Sequence, residues 1–582
     1  MQRDLDYFRL LTESRNLHAH DGDRKLRLAI IADCAIQHLT LLVRALFRRK
    51  GINAEIYEGM FDAMELEVRN PASALYAFQP EIIVMLHSAQ ALRDKFYQSN
   101  DSRAFLEQSA SQLTTIWESI TSNSKALMIQ STLADPMERF FGNYDRKVDA
   151  SLSSIVSALN NFIVAEARRH GNMLLLDLEA TASWVGRQHW FDERLWVLGK
   201  SLCALDHLPL VAQNIVDVVL AAKGRTVKCI VLDLDNTLWG GVIGDDGLHG
   251  IRIGAHGDGE PFFRLQSFLK QLKNRGILLA VCSKNEEANA RKPFHENAAM
   301  VLALDDIVVF IANWNNKPEN IKTIQQELRI GFDSMLFLDD NPFERAAVRQ
   351  MLPDVLVPEL SDDPSEWVKT LCELNLFEAA SFSAEDTQRS DQYLQEARRR
   401  TASQAAPTFE EFLRSLDMTI EVARFSSPHF ARIAQLLQRS NQFNLCTRRL
   451  TETQCAALME SADFVPLYAK LADRFGDHGL ISVVVLERSE EALMIRDWLM
   501  SCRVLARGVE QFMMNEVVAL AARMGLNRVI GEYIPTAKNG MVRDFFQQFG
   551  FTREPATSNQ WSLDVSGYQF RTTLIRLAEG LT

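Results

Sequence analysis

The stretch Ile230-Val231-Leu232-Asp233-Leu234-Asp235-Asn236-Thr237 decides the fold of the middle of this chain. An apolar run enters two carboxylates spaced two apart, then a turn-forming Asn and a Thr. Unbroken apolar runs of this length suit a strand buried on both faces of a parallel sheet, and the carboxyl ends of such strands line a ligand crevice. Period-two alternation places Asp233 and Asp235 on one side of the strand. Carboxylates that close repel unless a cation or a shared proton neutralises them. Oxygen donors in this number suit Mg²⁺, which also keeps waters and substrate phosphate oxygens.

Three further runs share the pattern, at 276–284, 307–314 and 334–341, with helical periodicity between them. The first ends in Ser283-Lys284. The third ends in Asp339-Asp340-Asn341, a second acidic strand end able to complete the site. Lys317 lies in the loop Asn315-Asn316-Lys317-Pro318, and Lys284 is its rival as the site's cation. Asp340 reads as a neighbour of the site rather than a ligand.

Strand-like runs at 26–33, 54–58, 80–86, 125–131 and 172–178, separated by helical patterns, predict an N-terminal α/β domain. Beyond the central runs, 362–415 reads as wholly helical and charged. Strand, helix, meander, helix and strand then follow from 418 to 534, an α+β pattern. The expected domains are 1–224, 225–370, a helical connector 371–415, and 416–582.

At 582 residues the chain exceeds what one core serves. A formal net charge of -12 argues against wide nucleic-acid or anionic-membrane surfaces. The first residues show no signal-peptide pattern, and the eight scattered Cys form no CxxC pair, so a cytoplasmic location with reduced thiols is expected.

The DxDxT run, the strand ending in Ser283, Lys317 and the strand ending in Asp339-Asp340 together resemble the four-part signature of the haloacid-dehalogenase (HAD) superfamily. The resemblance implies a Rossmannoid HAD-like phosphotransferase. Asp233 would be the nucleophile and Asp235 the acid and base. Ser283, Lys317 and Asn236 would hold the phosphoryl group. Mg²⁺ would sit on Asp233, Asp339 and Asp235, the last through its backbone carbonyl. The longer text LDLDNTLWGGVIGDDG (232–247), NWNNKPENI (313–321), LFLDDNPFER (336–345), DRFGDHGLI (473–481) and MSCRVLARGVE (500–510) resembles the FkbH-like family. Its members move a glyceryl group from 1,3-bisphosphoglycerate to a thioester on an acyl carrier protein, for polyketide-type biosynthesis. Partners so implied are a phosphopantetheine-bearing carrier and a phosphorylated three-carbon substrate.

The N-terminal domain resembles a degenerate SGNH-hydrolase-like fold, with Cys34 at the strand end where a nucleophile would stand. The C-terminal region resembles a GNAT-like acyltransferase. There Arg503-Val504-Leu505-Ala506-Arg507-Gly508 approximates a loop whose N–H groups hold a pyrophosphate at a helix N-terminus, with Ala506 where a Gly is usual. Arg503, Arg507 and Gly508 would bound the entry of a pantetheine arm. Cys502, beside Arg503 at a helix start, is in a setting that favours thiolate, and His478 is a candidate base. A plain buried strand position is the competing reading of Cys502, and a solvated loop that of Asn441, Gln442, Asn444, Arg448 and Arg449. Three rival functions stay open: a small-molecule phosphatase with scaffold domains, an acyl-CoA-dependent N-acyltransferase, and a non-catalytic carrier scaffold.

Overall fold

The computed structural model describes residues 5–15, 24–382, 384–387, 392–396, 398–399, 402, 406–426, 429–438, 443–446, 452–501, 504–536, 539–554 and 559–578. It divides into two compact units, Met1–Thr387 and Gln388–Thr582.

The first unit holds two parallel sheets. One contains β1 (Arg24–Ala32), β2 (Ile52–Glu58), β3 (Ile82–Leu86), β4 (Leu127–Ser131) and β5 (Met173–Leu176), in the order β2-β1-β3-β4-β5. Alternation along β1 feeds two apolar layers. Leu28 and Ile30 join the core under helices Gln37–Arg49 and Leu208–Ala222. Ala29 and Ile31 join the core under Ser102–Asn123 and Leu152–Arg169. Covering both faces is what a parallel sheet requires. The span Leu205–Ala222 is long and apolar enough to cross a membrane, but 61% of it is buried inside the protein.

The second sheet contains β6 (Cys229–Leu232), β7 (Leu278–Ser283), β8 (Ile307–Ala312) and β9 (Met335–Leu338), in the order β8-β7-β6-β9. All its pairs are parallel, and every residue of β6, β7 and β9 is buried. Leu232 pairs with Val281 on one side and Leu338 on the other. That register sets Asp233 level with Asp339 and puts Ser283 at the same edge of the sheet. Between the sheets the chain turns at Gly224, whose φ of 76° is left-handed.

The second unit is α+β. Its strands are β10 (Met418–Arg424), β11 (Phe443–Asn444), β12 (Phe464–Asp473), β13 (Gly476–Arg488), β14 (Ala492–Met500), β15 (Arg528–Glu532), β16 (Thr552–Arg553), β17 (Gln560–Asp564) and β18 (Ile575–Leu577). They run in the order β16-β17-β15-β14-β13-β12-β10-β18, with β11 beside β14. An antiparallel meander β10–β12–β13–β14 is followed by the helix Val509–Arg523, which crosses to the parallel neighbour β15. This is the order expected for a GNAT-like unit.

Two expectations are corrected. The stretch 362–415 is not wholly helical: non-helical chain at 374–382 and 406–408 separates helices Trp367–Glu373, Ala384–Thr387 and Phe409–Ser415. The boundary between the units falls within it. Strand β12 is absent from the sequence reading because Pro466 lies inside it, and proline argues against a central strand. Pro466 is tolerated at the strand's start, where its carbonyl accepts the Phe425 N–H at 3.0 Å.

Phe337 is fully buried in β9, directly ahead of the acidic strand end. Phe337→Ala should cost about 3–5 kcal/mol, the range for deleting a buried aromatic ring. The check is the urea midpoint of the transition reporting this unit; a loss under about 1 kcal/mol would contradict the packing described.

Candidate active site

The site begins where β6 stops. The strand ends at Leu232; Asp233 and Leu234 lie beyond it, Asp235 makes an isolated bridge to Trp239, and the turn spans Asn236–Leu238. Period-two alternation therefore does not govern Asp233 and Asp235. Asn236 has a φ of 55°, a left-handed conformation that Asn tolerates better than most residues. Its N–H donates to the Gly241 carbonyl (3.2 Å), and its Oδ1 accepts the Gly241 N–H (2.8 Å). The side-chain oxygen of Asn236 thus closes a backbone loop, while the expected phosphate contact would fall to N–H donors.

Asp233 is 6% exposed and Asp339 0%. Between them lies the Lys317 ammonium, 2.9 Å from Asp233 Oδ1 and in still closer contact with Asp339 Oδ2. Lys317 is the first residue of the helix Lys317–Leu328, whose N-cap Asn316 accepts the Glu319 N–H at 2.9 Å. The cap and Pro318 start the helix here and aim the lysine inward. Burial disfavours its charge, but the attraction of Asp233 and Asp339 outweighs that and raises its pKa. Asp339 is pushed up to about 7, by burial first and by the Asp233 charge second, against the pull of Lys317. The rival Lys284 instead donates to Glu344 Oε1 at 2.6 Å.

Side-chain oxygens of Asp233, Asp339 and Asp340 all lie within 4.8 Å of one another. Two of the expected ligands, Asp233 and Asp339, are in this cluster, and Asp235, expected to act through its backbone carbonyl, contributes no carboxylate to it. Asp340 belongs to it, held by Thr237, whose Oγ1 accepts the Asp340 N–H (3.1 Å) and donates to Asp340 Oδ1 (3.4 Å). Asp235 has both carboxylate oxygens engaged. Oδ1 accepts from Trp239 Nε1 (2.9 Å) and the Ile243 N–H (3.0 Å), and Oδ2 accepts from Asn285 Nδ2 (2.8 Å). Burial raises the Asp235 pKa, the Asp233 charge adds to this, and the three N–H donors oppose it. Ser283 ends β7, buried, at the same sheet edge.

In the second unit, His478 is buried and its Nε2 donates to Asp473 Oδ2 (2.9 Å), with Arg507 Nη1 3.2 Å away. Arg399 clamps Asp473 from the other side, at 2.7 and 2.9 Å. Arg507 is also buried, and its guanidinium lies 3.6 Å from Asp473 and 3.5 Å from Glu396. Burial lowers the His478 pKa, helped by both arginines and opposed by Asp473. The geometry ties His478, expected as a candidate base, and Arg507, expected to bound the arm's entry, into one internal ion network. Gly508 caps the helix Val509–Arg523 with a φ of 90°. Cys502 and Arg503 lie outside the described residues, as do Asn441, Gln442, Arg448 and Arg449. Asn444 is buried, its carbonyl accepting from Asn539 Nδ2 at 2.9 Å. In the first unit, Cys34 is buried and its thiol is pushed well up by desolvation, which disfavours thiolate.

The profile described as FkbH, N-terminal domain, matches residues 27–220. The crystal structure of the N-terminal part of a Bacteroides fragilis protein, described as containing a phosphatase domain and complexed with Mg, is 36% identical to this chain. The match covers 65% of this chain and 100% of that one, with a TM-score of 0.62. The chain belongs to the FkbH family. No curated protein matches it. Over about a quarter of the chain, matches include the GNAT domain of S. lividans PAT (19% identity, 25% of this chain and 89% of that one, TM-score 0.20). Another is the Vibrio cholerae spermidine N-acetyltransferase in complex with CoA and spermine (10%, 26% and 98%, TM-score 0.22). Overlaps that slight decide nothing about the second unit.

Within this FkbH-family chain, sequence reasoning missed Asn285 and Trp239, which aim Asp235, and Asp473 and Arg399, which fix His478. Trp239 follows Asp235 by four residues, and Asn285 follows Ser283 by two, so both sat beside motifs already singled out. Asp473 is carried by the unread strand β12.

Lys317→Met leaves two buried carboxylates without their counter-charge. It should destabilise the metal-free protein by about 3–5 kcal/mol, and a millimolar magnesium salt should recover part of the loss. Thermal unfolding with and without the salt is the measurement. Equal stability of variant and parent in chelator would contradict the ion-pair geometry.

Proposed function

We propose that this chain is a bifunctional glyceryltransferase and phosphatase, which takes a glyceryl group from 1,3-bisphosphoglycerate, removes phosphate and loads the group as a thioester on an acyl carrier protein. One observation carries the phosphoryl half: a buried ammonium held between two strand-end carboxylates, with a third carboxylate inside the same cluster. Family membership and the Mg-bound Bacteroides fragilis relative support it.

Magnesium fits this donor set, since three hard carboxylates cluster beside one cation. Asp233, Asp339 and Asp340 would hold it, with the Asp235 carbonyl as a further donor. When bound, it neutralises charge on the phosphoryl oxygens. In the chain's own chemistry, Asp233 attacks phosphorus and the bond to the leaving oxygen breaks, giving an aspartyl-phosphate. Asp235 supplies the proton to that oxygen. Its Oδ2 accepts only one N–H, so a lone pair remains to carry the proton, and burial raises its pKa in the direction a general acid needs. The same carboxylate then takes a proton from water, which attacks the aspartyl-phosphate and frees phosphate and Asp233. Lys317 and Ser283 hold the phosphoryl oxygens throughout.

The transferase half is supported by family membership and by the residues around Cys502. A thiolate there would attack the acyl-phosphate carbon, forming a C–S bond as the C–O bond breaks and phosphate leaves. The pantetheine thiol, losing its proton, would then displace the Cys502 thiolate, an exchange between thioesters in which positioning matters more than driving force. The location follows from the same reading: a cytoplasmic enzyme, where thiols stay reduced.

Asp233→Asn should abolish phosphate release and keep the fold. Cys502→Ser should leave phosphate release from simple esters unchanged while stopping carrier loading, followed by intact mass of the carrier. Normal loading by Cys502→Ser would overturn the relay, and wild-type phosphate release by Asp233→Asn would overturn the nucleophile.

A further inference from the structure

The N-terminal sheet has its own crevice. Strand order β2-β1-β3-β4-β5 reverses direction between β1 and β3, and ligands of open parallel sheets bind beyond the strands' carboxyl ends at such a point. A cavity of about 420 Å³ lies there, lined by Asp33, directly after β1, and by His87 and Ser88, directly after β3. This volume is in the range that holds small organic ligands.

The polar end of the cavity is organised by backbone. Asp33 Oδ1 accepts the Ser88 N–H at 2.7 Å, and its Oδ2 lies 3.5 Å from His87 Nδ1. The His87 N–H donates to Ser131 Oγ, at the end of β4, at 3.0 Å. His87 Nε2 is buried and has no hydrogen-bond partner. A buried polar atom left unpaired is costly, and ligand or ordered-water sites are where such atoms are tolerated.

The rest of the wall selects the ligand. Its floor is apolar, from Phe105, Leu113, Ile116, Leu133 and Ile163. Above it stand neutral amides and hydroxyls, those of Gln98, Gln108, Gln112, Ser99 and Ser109. Charged residues at the cavity are Asp33, Asp62 and Glu65 against Lys95 alone, an acidic excess that disfavours phosphate or carboxylate. Exposed apolar side chains adjoin these lining residues in sequence. Met60 and Phe61 precede Asp62, Leu66 follows Glu65, and Tyr97 precedes Gln98. Exposed apolar side chains this close in sequence to the lining suit a ligand delivered on a protein.

We propose that this cavity is a second ligand site, which receives the uncharged, amide- and hydroxyl-bearing pantetheine portion of a carrier's arm, with His87 at its polar end. The inference rests on the carrier partner in the function proposed above and adds a site outside both the phosphoryl centre and the acyltransferase-like unit. Neutral amides of the wall pair with amides of the arm, and the floor covers its methyl and methylene groups. Asp33 is a positioning residue that orients His87.

The test uses the full chain and pantetheine itself, followed by ligand-observed NMR and calorimetry. Saturable binding to the wild type is expected, tighter than that of coenzyme A, whose phosphates meet the acidic wall. Ser109→Trp, which fills the cavity from the helix Ser102–Asn123, should abolish it. His87→Ala should weaken it about tenfold or more, as loss of a buried polar partner does. Phosphate release should stay at the wild-type rate in both variants, which also shows that they fold. No saturable binding to the wild type, or undiminished binding to Ser109→Trp, overturns the site. Intact pantetheine binding in a chain that never loads a carrier overturns the proposed function and leaves this site standing.

Discussion

Much of the phosphoryl site depends on one buried ion cluster, the Lys317 ammonium between Asp233 and Asp339. Burying charge is costly unless it is paired, and burying two carboxylates side by side is costlier still. Lys317 meets that cost, and the fold is arranged to deliver it. Parallel pairing of β6 with β9 sets the two carboxylates level, and the Asn316 cap starts a helix whose first residue reaches them. The clustered third carboxylate, Asp340, leaves the group with more negative than positive charge, the condition under which a divalent cation is attracted.

How much of this was legible in the sequence depends on the range of the interaction. Runs such as Leu278–Ser283 are buried along their whole length, so unbroken apolarity named the strands of both parallel sheets. Strand-end positions then followed, and Asp233, Ser283, Lys317 and Asp339 could be placed. Lys317 was preferred to Lys284 on the order of the motifs alone; the physical reason needed three dimensions, since Lys284 is engaged by Glu344, sixty residues beyond it. The left-handed turn at Asn236 was not legible, because its need comes from the loop closed with Gly241 five residues on. Asp235 was placed by strand alternation, although the strand had already ended one residue before Asp233.

The C-terminal unit was harder to read for a related reason. Its sheet is mixed, and β12 carries a proline at the point where the pattern would have announced a strand. The hairpin of β12 and β13 brings Asp473 to His478, and Arg399 and Arg507 complete a buried network that no local motif encodes. A histidine and an arginine that look reactive in a line of sequence are, in the fold, partners of one another's neighbours. In the N-terminal domain, Asp33 and His87 are likewise far apart in sequence and meet only because β1 and β3 are neighbours.

The central claim is that Asp233 becomes covalently phosphorylated. Rapid mixing with a radiolabelled phosphoryl donor, quenching in acid and reduction with borohydride tests it most directly, since an aspartyl-phosphate is reduced to homoserine. The account predicts transient label on the protein and homoserine at position 233 in the tryptic peptide. Turnover with no label on the chain at any time, and an unmodified Asp233, would contradict it and point to direct attack by water.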